Sequence, residues 1–102
     1  MKTKTYISGK ISGLPESEYK PLFKDAYMFV FYRGEEPIAP IYIKPFKGIY
    51  QWWAHMISDI KALFDCDKIL MLPTWIKSKG AIIEWCIAKL IGLEVEFYKS
   101  EL

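Results

Sequence analysis

Two rhythms of apolar and polar residues alternate along the chain. Thr5-Tyr6-Ile7-Ser8 is a short β-prone run that stops at Gly9, so it reads as a strand feeding a glycine loop that continues to Pro15. From Glu16 to Tyr32 the apolar residues Leu22, Phe23, Ala26, Phe29 and Val30 recur at helical spacing, with Pro15 suited to the start and Gly34 to the end. Glu36 to Pro40 is short and bounded by prolines, which fits an edge or second strand. Residues 41–48 read as a loop carrying aromatic and basic side chains. Ile49, Trp52, Trp53, Met56, Ile57, Ile60, Leu63 and Phe64 predict a second helix. Asp67 to Leu72 reads as a buried strand and Pro73 to Lys77 as a loop. Ser78 can cap a third helix over Lys79 to Ile91, and Gly92 can close it. Leu93 to Tyr98 is the last strand.

Strands alternating with helices predict an α/β fold with a parallel sheet covered on both faces. Right-handed crossovers leave few topologies. The expected one is three-layered and flavodoxin/Rossmann-like, with four strands in the order 2-1-3-4. Ligands in such sheets bind beyond the carboxyl ends of the strands, where the strand order reverses. The loops after the first and third strands and the start of the third helix would then surround one crevice.

Composition narrows the function classes. With 102 residues and no repeats or linkers, residues 1–102 form a single domain. The chain is 52% hydrophobic, enough for a real core, yet a domain this small gains from self-association. A homodimer or larger homo-oligomer is the expectation, strengthened by a third helix that is apolar nearly all round. Scattered basic residues and a net charge of +2 argue against polymeric nucleic acid and membrane surfaces. No signal peptide and no span-length apolar run is present, so a cytoplasmic location is expected. Cys66 and Cys86 lie in apolar stretches and read as buried free thiols; with His55 alone beside them, no metal site is expected. No cofactor is implied.

The third helix carries the clearest chemical signal. At about 100° per residue, Ile82, Ile83, Cys86, Ile87 and Leu90 share one face, and Ala81, Glu84, Ala88 and Ile91 the other. Glu84 therefore sits among small and apolar residues. A carboxylate placed so is either a rim residue paired with a lysine or a partly desolvated group lining a cavity, suited to act as nucleophile or base. Asp59 lies at the edge of the second helix's apolar face, four residues after His55, where it can contact that histidine or accept from a ligand hydroxyl. Gly9 and Gly13 let backbone N–H groups approach a ligand, although glycines there also serve a plain tight turn. The tryptophans read as core or interface anchors, with Trp75 singled out by its place in the loop before the third helix.

Taken together, four segments resemble the nucleoside 2-deoxyribosyltransferase-like superfamily, nearest to its small bacterial and phage members described as DUF4406. They are Tyr6-Ile7-Ser8-Gly9-Lys10-Ile11-Ser12-Gly13, Met56-Ile57-Ser58-Asp59-Ile60, Cys66 to Leu72, and Trp75-Ile76-Lys77-Ser78-Lys79-Gly80-Ala81-Ile82-Ile83-Glu84 with Ala88 and Gly92 after it. The resemblance implies cleavage or exchange of the N-glycosidic bond of a deoxynucleoside or its 5′-monophosphate. It places the nucleophile at Glu84, a sugar-orienting carboxylate at Asp59, and a tyrosine beside the nucleophile at Tyr6. Substrate contacts would come from Gly9, Lys10, Ser12, Gly13, Trp75, Ser78 and Gly80. Serine at 78 matches nucleotide N-hydrolase relatives, which favours a nucleotide. The arginine those relatives use in the first loop is Ser12 here, and Lys10 is the basic residue beside it. The alternative is a module of the same fold that binds or sequesters a nucleotide without turning it over.

Overall fold

A computed structural model describes residues 2–11, 14–39 and 49–99, with the backbone but not the side chains of 49–52. Four strands, β1 (Lys4–Ser8), β2 (Glu36–Ile38), β3 (Lys68–Met71) and β4 (Glu94–Phe97), alternate with α1 (Glu16–Tyr32), α2 (Ile49–Phe64) and α3 (Lys79–Leu90). The sheet order is β2-β1-β3-β4, and every pairing is parallel. The α/β class and the 2-1-3-4 order expected from the sequence are what the chain adopts. Tyr6 lies opposite Ile38 on one side and Ile69 on the other.

The pleat divides the core in two. Ile7, Leu70 and Leu72 face α1 and pack on Phe23, Ala26 and Val30. Tyr6, Ile69 and Met71 face the other way, against Leu63 of α2 and Ala81 and Ala88 of α3. Each fully buried Ile, Leu or Phe contributes roughly 1.5–3 kcal/mol from apolar burial. Gly34 and Gly92 both adopt left-handed backbone, φ 88° and 83°, directly after α1 and α3. That conformation suits glycine and satisfies the last helical carbonyls, so both stops fall where the sequence placed them.

Two local expectations need correction. Residues 75–77, read as loop, form one 3₁₀ turn, Trp75–Lys77, whose N–H groups bond back three residues to Leu72 and Thr74. Cys86, read as buried, is exposed, while Cys66 is buried. The reason is the rotation of α3, which turns Ala81, Glu84 and Ala88 toward the sheet and leaves Cys86 and Leu90 outside. Small residues let the helix approach the strands closely, so bulk is excluded from the inner stripe.

Charged residues gather at the amino ends of the strands. Arg33, the C-cap of α1, forks onto both oxygens of Glu96 at 2.7 and 2.8 Å and also reaches Glu35. Glu35 further accepts from Thr5 Oγ1 at 2.7 Å and from Lys68 at 3.1 Å. Burial pulls the Glu35 carboxyl up, but these donors outweigh it and hold it below its ordinary value. Ser8, the last residue of β1, lies at the opposite end of the sheet. Among the described residues no helix is long and apolar enough to cross a membrane.

Candidate active site

Strand alternation brings the first two groups together. Tyr6 and Ser8 are two residues apart, so both project from β1 toward α2 and α3, and both are fully buried. The end of β1 is held by Leu72 N–H donating to the Ser8 carbonyl at 2.7 Å. Gly9 must follow, because a Cβ there would meet Leu72 Cδ1 at 2.8 Å and Leu72 Cβ at 2.9 Å. The second of these atoms is fixed to the backbone and cannot swing away. Gly9→Ala is expected to cost about 1–3 kcal/mol in urea unfolding, by forcing apart the two loops that flank the site.

α3 supplies the central carboxylate. Ser78 caps the helix, its hydroxyl accepting from Ala81 N–H at 3.1 Å. One and a half turns later Glu84 points at β1, only 4% exposed. Tyr6 OH donates to Glu84 Oε2 at 2.6 Å, and Ser8 Oγ donates to Oε1 at 2.7 Å. Both oxygens are thus engaged by hydroxyls from one strand.

α2 adds a second carboxylate. Gly80 permits the approach, since a Cβ there would lie 3.1 Å from Met56 Sδ. Asp59, one turn beyond Met56 and 8% exposed, comes within hydrogen-bonding reach of Glu84. Among the described residues its buried Oδ1 has no hydrogen-bond partner. The sequence left Asp59 between a contact with His55 and a ligand role; the fold sets it against Glu84.

Two buried carboxyls side by side cannot both ionise cheaply. Burial, then the Asp59 charge, push Glu84 up to about 8, against the pull of the Ser8 and Tyr6 hydrogen bonds. Burial pushes Asp59 up to about 6. Because the two groups touch, these values are the two proton-releasing steps of the pair. At neutral pH the pair therefore holds one proton and one negative charge. Burial, then the Glu84 and Asp59 charges, push the Tyr6 phenol well above its ordinary value, so it remains a donor. A fixed anion beside a proton source can attack an electron-poor carbon, or stabilise a cation, while the proton serves a leaving group.

The remaining described candidates lie in the loop after β1 and around the start of α3. Lys10 N–H donates to Thr74 Oγ1 at 3.1 Å, and its ammonium donates to the Lys77 carbonyl at 3.1 Å. These bonds tie the loop after β1 to the turn before α3. Ser78 spends its acceptor on the helix cap, and Trp75 packs its ring on Trp85 and Phe97 at 5.5 and 5.8 Å. Ser12 and Gly13, and the loop 41–48, lie outside the described residues. Sequence reasoning did not single out Ser8 or Thr74. The signal for Ser8 was available, because a hydroxyl two residues after Tyr6 shares its face of the strand. Among the described residues no three His, Cys, Asp or Glu side chains group as metal ligands.

With this geometry in place, comparison with known families gives a match to the family described as a domain of unknown function, DUF4406, over residues 3–97. The chain belongs to the DUF4406 family. No curated protein matches it. The matched stretch of this DUF4406 domain runs through β4 and includes Tyr6, Ser8, Asp59 and Glu84.

Proposed function

We propose that the protein cleaves or exchanges the N-glycosidic bond of a deoxynucleoside or its 5′-monophosphate, with Glu84 as nucleophile. The observation that carries this reading is the ionisable pair itself. A carboxyl group in this position is costly to the fold, yet it is held at both oxygens and set beside a second carboxyl. Departure of the base leaves an oxocarbenium-like sugar. An ionised Glu84 stabilises that charge and then bonds to the anomeric carbon, while the proton of the pair is available to the departing base. Water or a second base then releases the sugar and frees Glu84. The resemblance of the four sequence segments to the nucleoside 2-deoxyribosyltransferase-like superfamily supports the same chemistry, and Asp59 Oδ1, buried and without a partner among the described residues, can accept from a sugar hydroxyl.

The test is base release from a panel of deoxynucleosides and their 5′-monophosphates, followed by chromatography, with Glu84→Gln beside the wild type. Free base from the wild type alone supports the proposal and names the substrate. Ligand-induced thermal stabilisation with no release replaces it with a binding module of the same fold. Self-association belongs to the same proposal, since α3 turns Leu90, at 86% exposure, together with Cys86, Ile82 and Ile83, away from the sheet. Light scattering is expected to give at least a dimer, and a monomer at all concentrations removes that part.

A further inference from the structure

Glu84 and Asp59 share a proton but not their surroundings. Glu84 receives two hydroxyl donors, Tyr6 on Oε2 and Ser8 on Oε1. Asp59 has one buried oxygen that nothing among the described residues serves. A hydroxyl donated to a carboxylate stabilises the ionised form, and a protonated carboxyl's O–H oxygen is a poor acceptor. Placing the proton on Glu84 would weaken one of the two hydroxyl bonds and leave an ionised Asp59 with an unsatisfied oxygen in the interior. Placing it on Asp59 lets that residue donate to Glu84, which then accepts from three groups.

We infer that Ser8 is a positioning residue which, together with Tyr6, keeps the proton of the pair on Asp59 and leaves Glu84 ionised with both oxygens fixed. Tyr6 engages Oε2 alone, so without Ser8 no hydroxyl from β1 would hold Oε1. Ser8 fixes that second oxygen, and its own position is set by the Leu72 bond at the end of β1. Among the described residues, the groups facing Glu84 from the packed elements are Tyr6 and Ser8 on β1 and Asp59 on α2, while the β3 side chains Ile69 and Met71 in the same core cluster as Tyr6 are apolar. The inference rests on Glu84 being the reactive carboxylate, but its location of the proton can be read without turnover.

The experiment is carboxyl carbon NMR of the full-length protein across pH, in wild type, Ser8→Ala and Ser8→Cys. At neutral pH the wild type is expected to show an ionised Glu84 and a protonated Asp59. Ser8→Ala should raise the Glu84 midpoint by about one pH unit, the weight of one charge-assisted hydrogen bond. Ser8→Cys, which keeps the volume and a weak donor, should fall between. If base release occurs, Ser8→Ala should lower kcat about tenfold at neutral pH with KM unchanged, and move the acid limb of the profile upward by the same amount. A protonated Glu84 beside an ionised Asp59 in the wild type overturns the inference. So do unchanged Glu84 and Asp59 midpoints in a folded Ser8→Ala. If the alanine variant does not fold, the wild-type assignment and Ser8→Cys decide alone. Absence of base release in the wild type removes the proposed reaction and leaves the carboxyl titrations to judge Ser8.

Discussion

Glu84→Gln protein is expected to release no measurable base and to unfold at a higher temperature than the wild type. The first effect follows from chemistry. An amide carries no negative charge and cannot form the ester-like bond to the sugar, so the rate should drop by at least about 10³-fold. The second follows from the proton count. The two proton-releasing steps of the Glu84–Asp59 pair, about 6 and about 8, lie above the ordinary carboxylate range. Between that range and about 8, the folded state holds protons that the unfolded state has released. Stability of the wild type therefore falls as pH rises through this window and levels off above it. Glutamine does not titrate, and it can still accept one hydroxyl and donate to the other. The expected gain is about 1–2 kcal/mol at pH 8, or roughly 5–10 °C in Tm, shrinking toward zero near pH 5. Differential scanning fluorimetry across pH checks it. A Glu84→Gln variant that melts below the wild type at pH 8 would show that the wild-type carboxylate is not under the strain argued here.

Asp59→Asn is expected to change the shape of the pH dependence and not only the rate. The repulsion between the two carboxylates and the hydrogen bond between them hold the second proton-releasing step of the pair at about 8. With asparagine in place, the repulsion disappears and Glu84 becomes a single carboxyl with three donors. The upper step of the pair should disappear, leaving one carboxyl midpoint nearer the ordinary range, and the falling limb of wild-type stability between pH 6 and 8 should flatten. The proton available to the departing base is lost at the same time, so turnover should fall about 10²-fold. Rate profiles and melting curves of the same preparations read both effects. If the stability profile keeps its slope, the two carboxyls are not coupled as described.

Much of the framework was legible because local signals agreed with one another. The bounds of α1 and α2, the glycine stops after α1 and α3, and the Ser78 cap each follow from spacing or backbone chemistry that needs no tertiary information. The sheet order followed from strand and helix alternation plus few allowed crossovers. Glu84 was visible as a charge out of place on its helix. What remained hidden depended on how helices sit on the sheet. The inner stripe of α3 is its small-residue side with Glu84, and the bulkier Ile82, Ile83 and Leu90 face outward, the reverse of what size alone suggests. That rotation also accounts for the exposed Cys86. The meeting of Asp59 and Glu84 depends on the close pass of Met56 and Gly80, which no spacing within α2 discloses. Ser8 was passed over because serine before glycine reads as the end of a strand, although its register with Tyr6 was already present.

The central claim is that Glu84 forms a bond to the sugar during turnover. The most direct measurement is intact-protein mass spectrometry on samples quenched during reaction with the substrate that the base-release panel identifies. The proposed reaction is expected to give a population of wild-type protein heavier by one deoxyribosyl or phosphodeoxyribosyl group, located by proteolysis to the α3 peptide containing Glu84 and absent from Glu84→Gln. Base release at an undiminished rate in Glu84→Gln, or an adduct on a different residue, would contradict it.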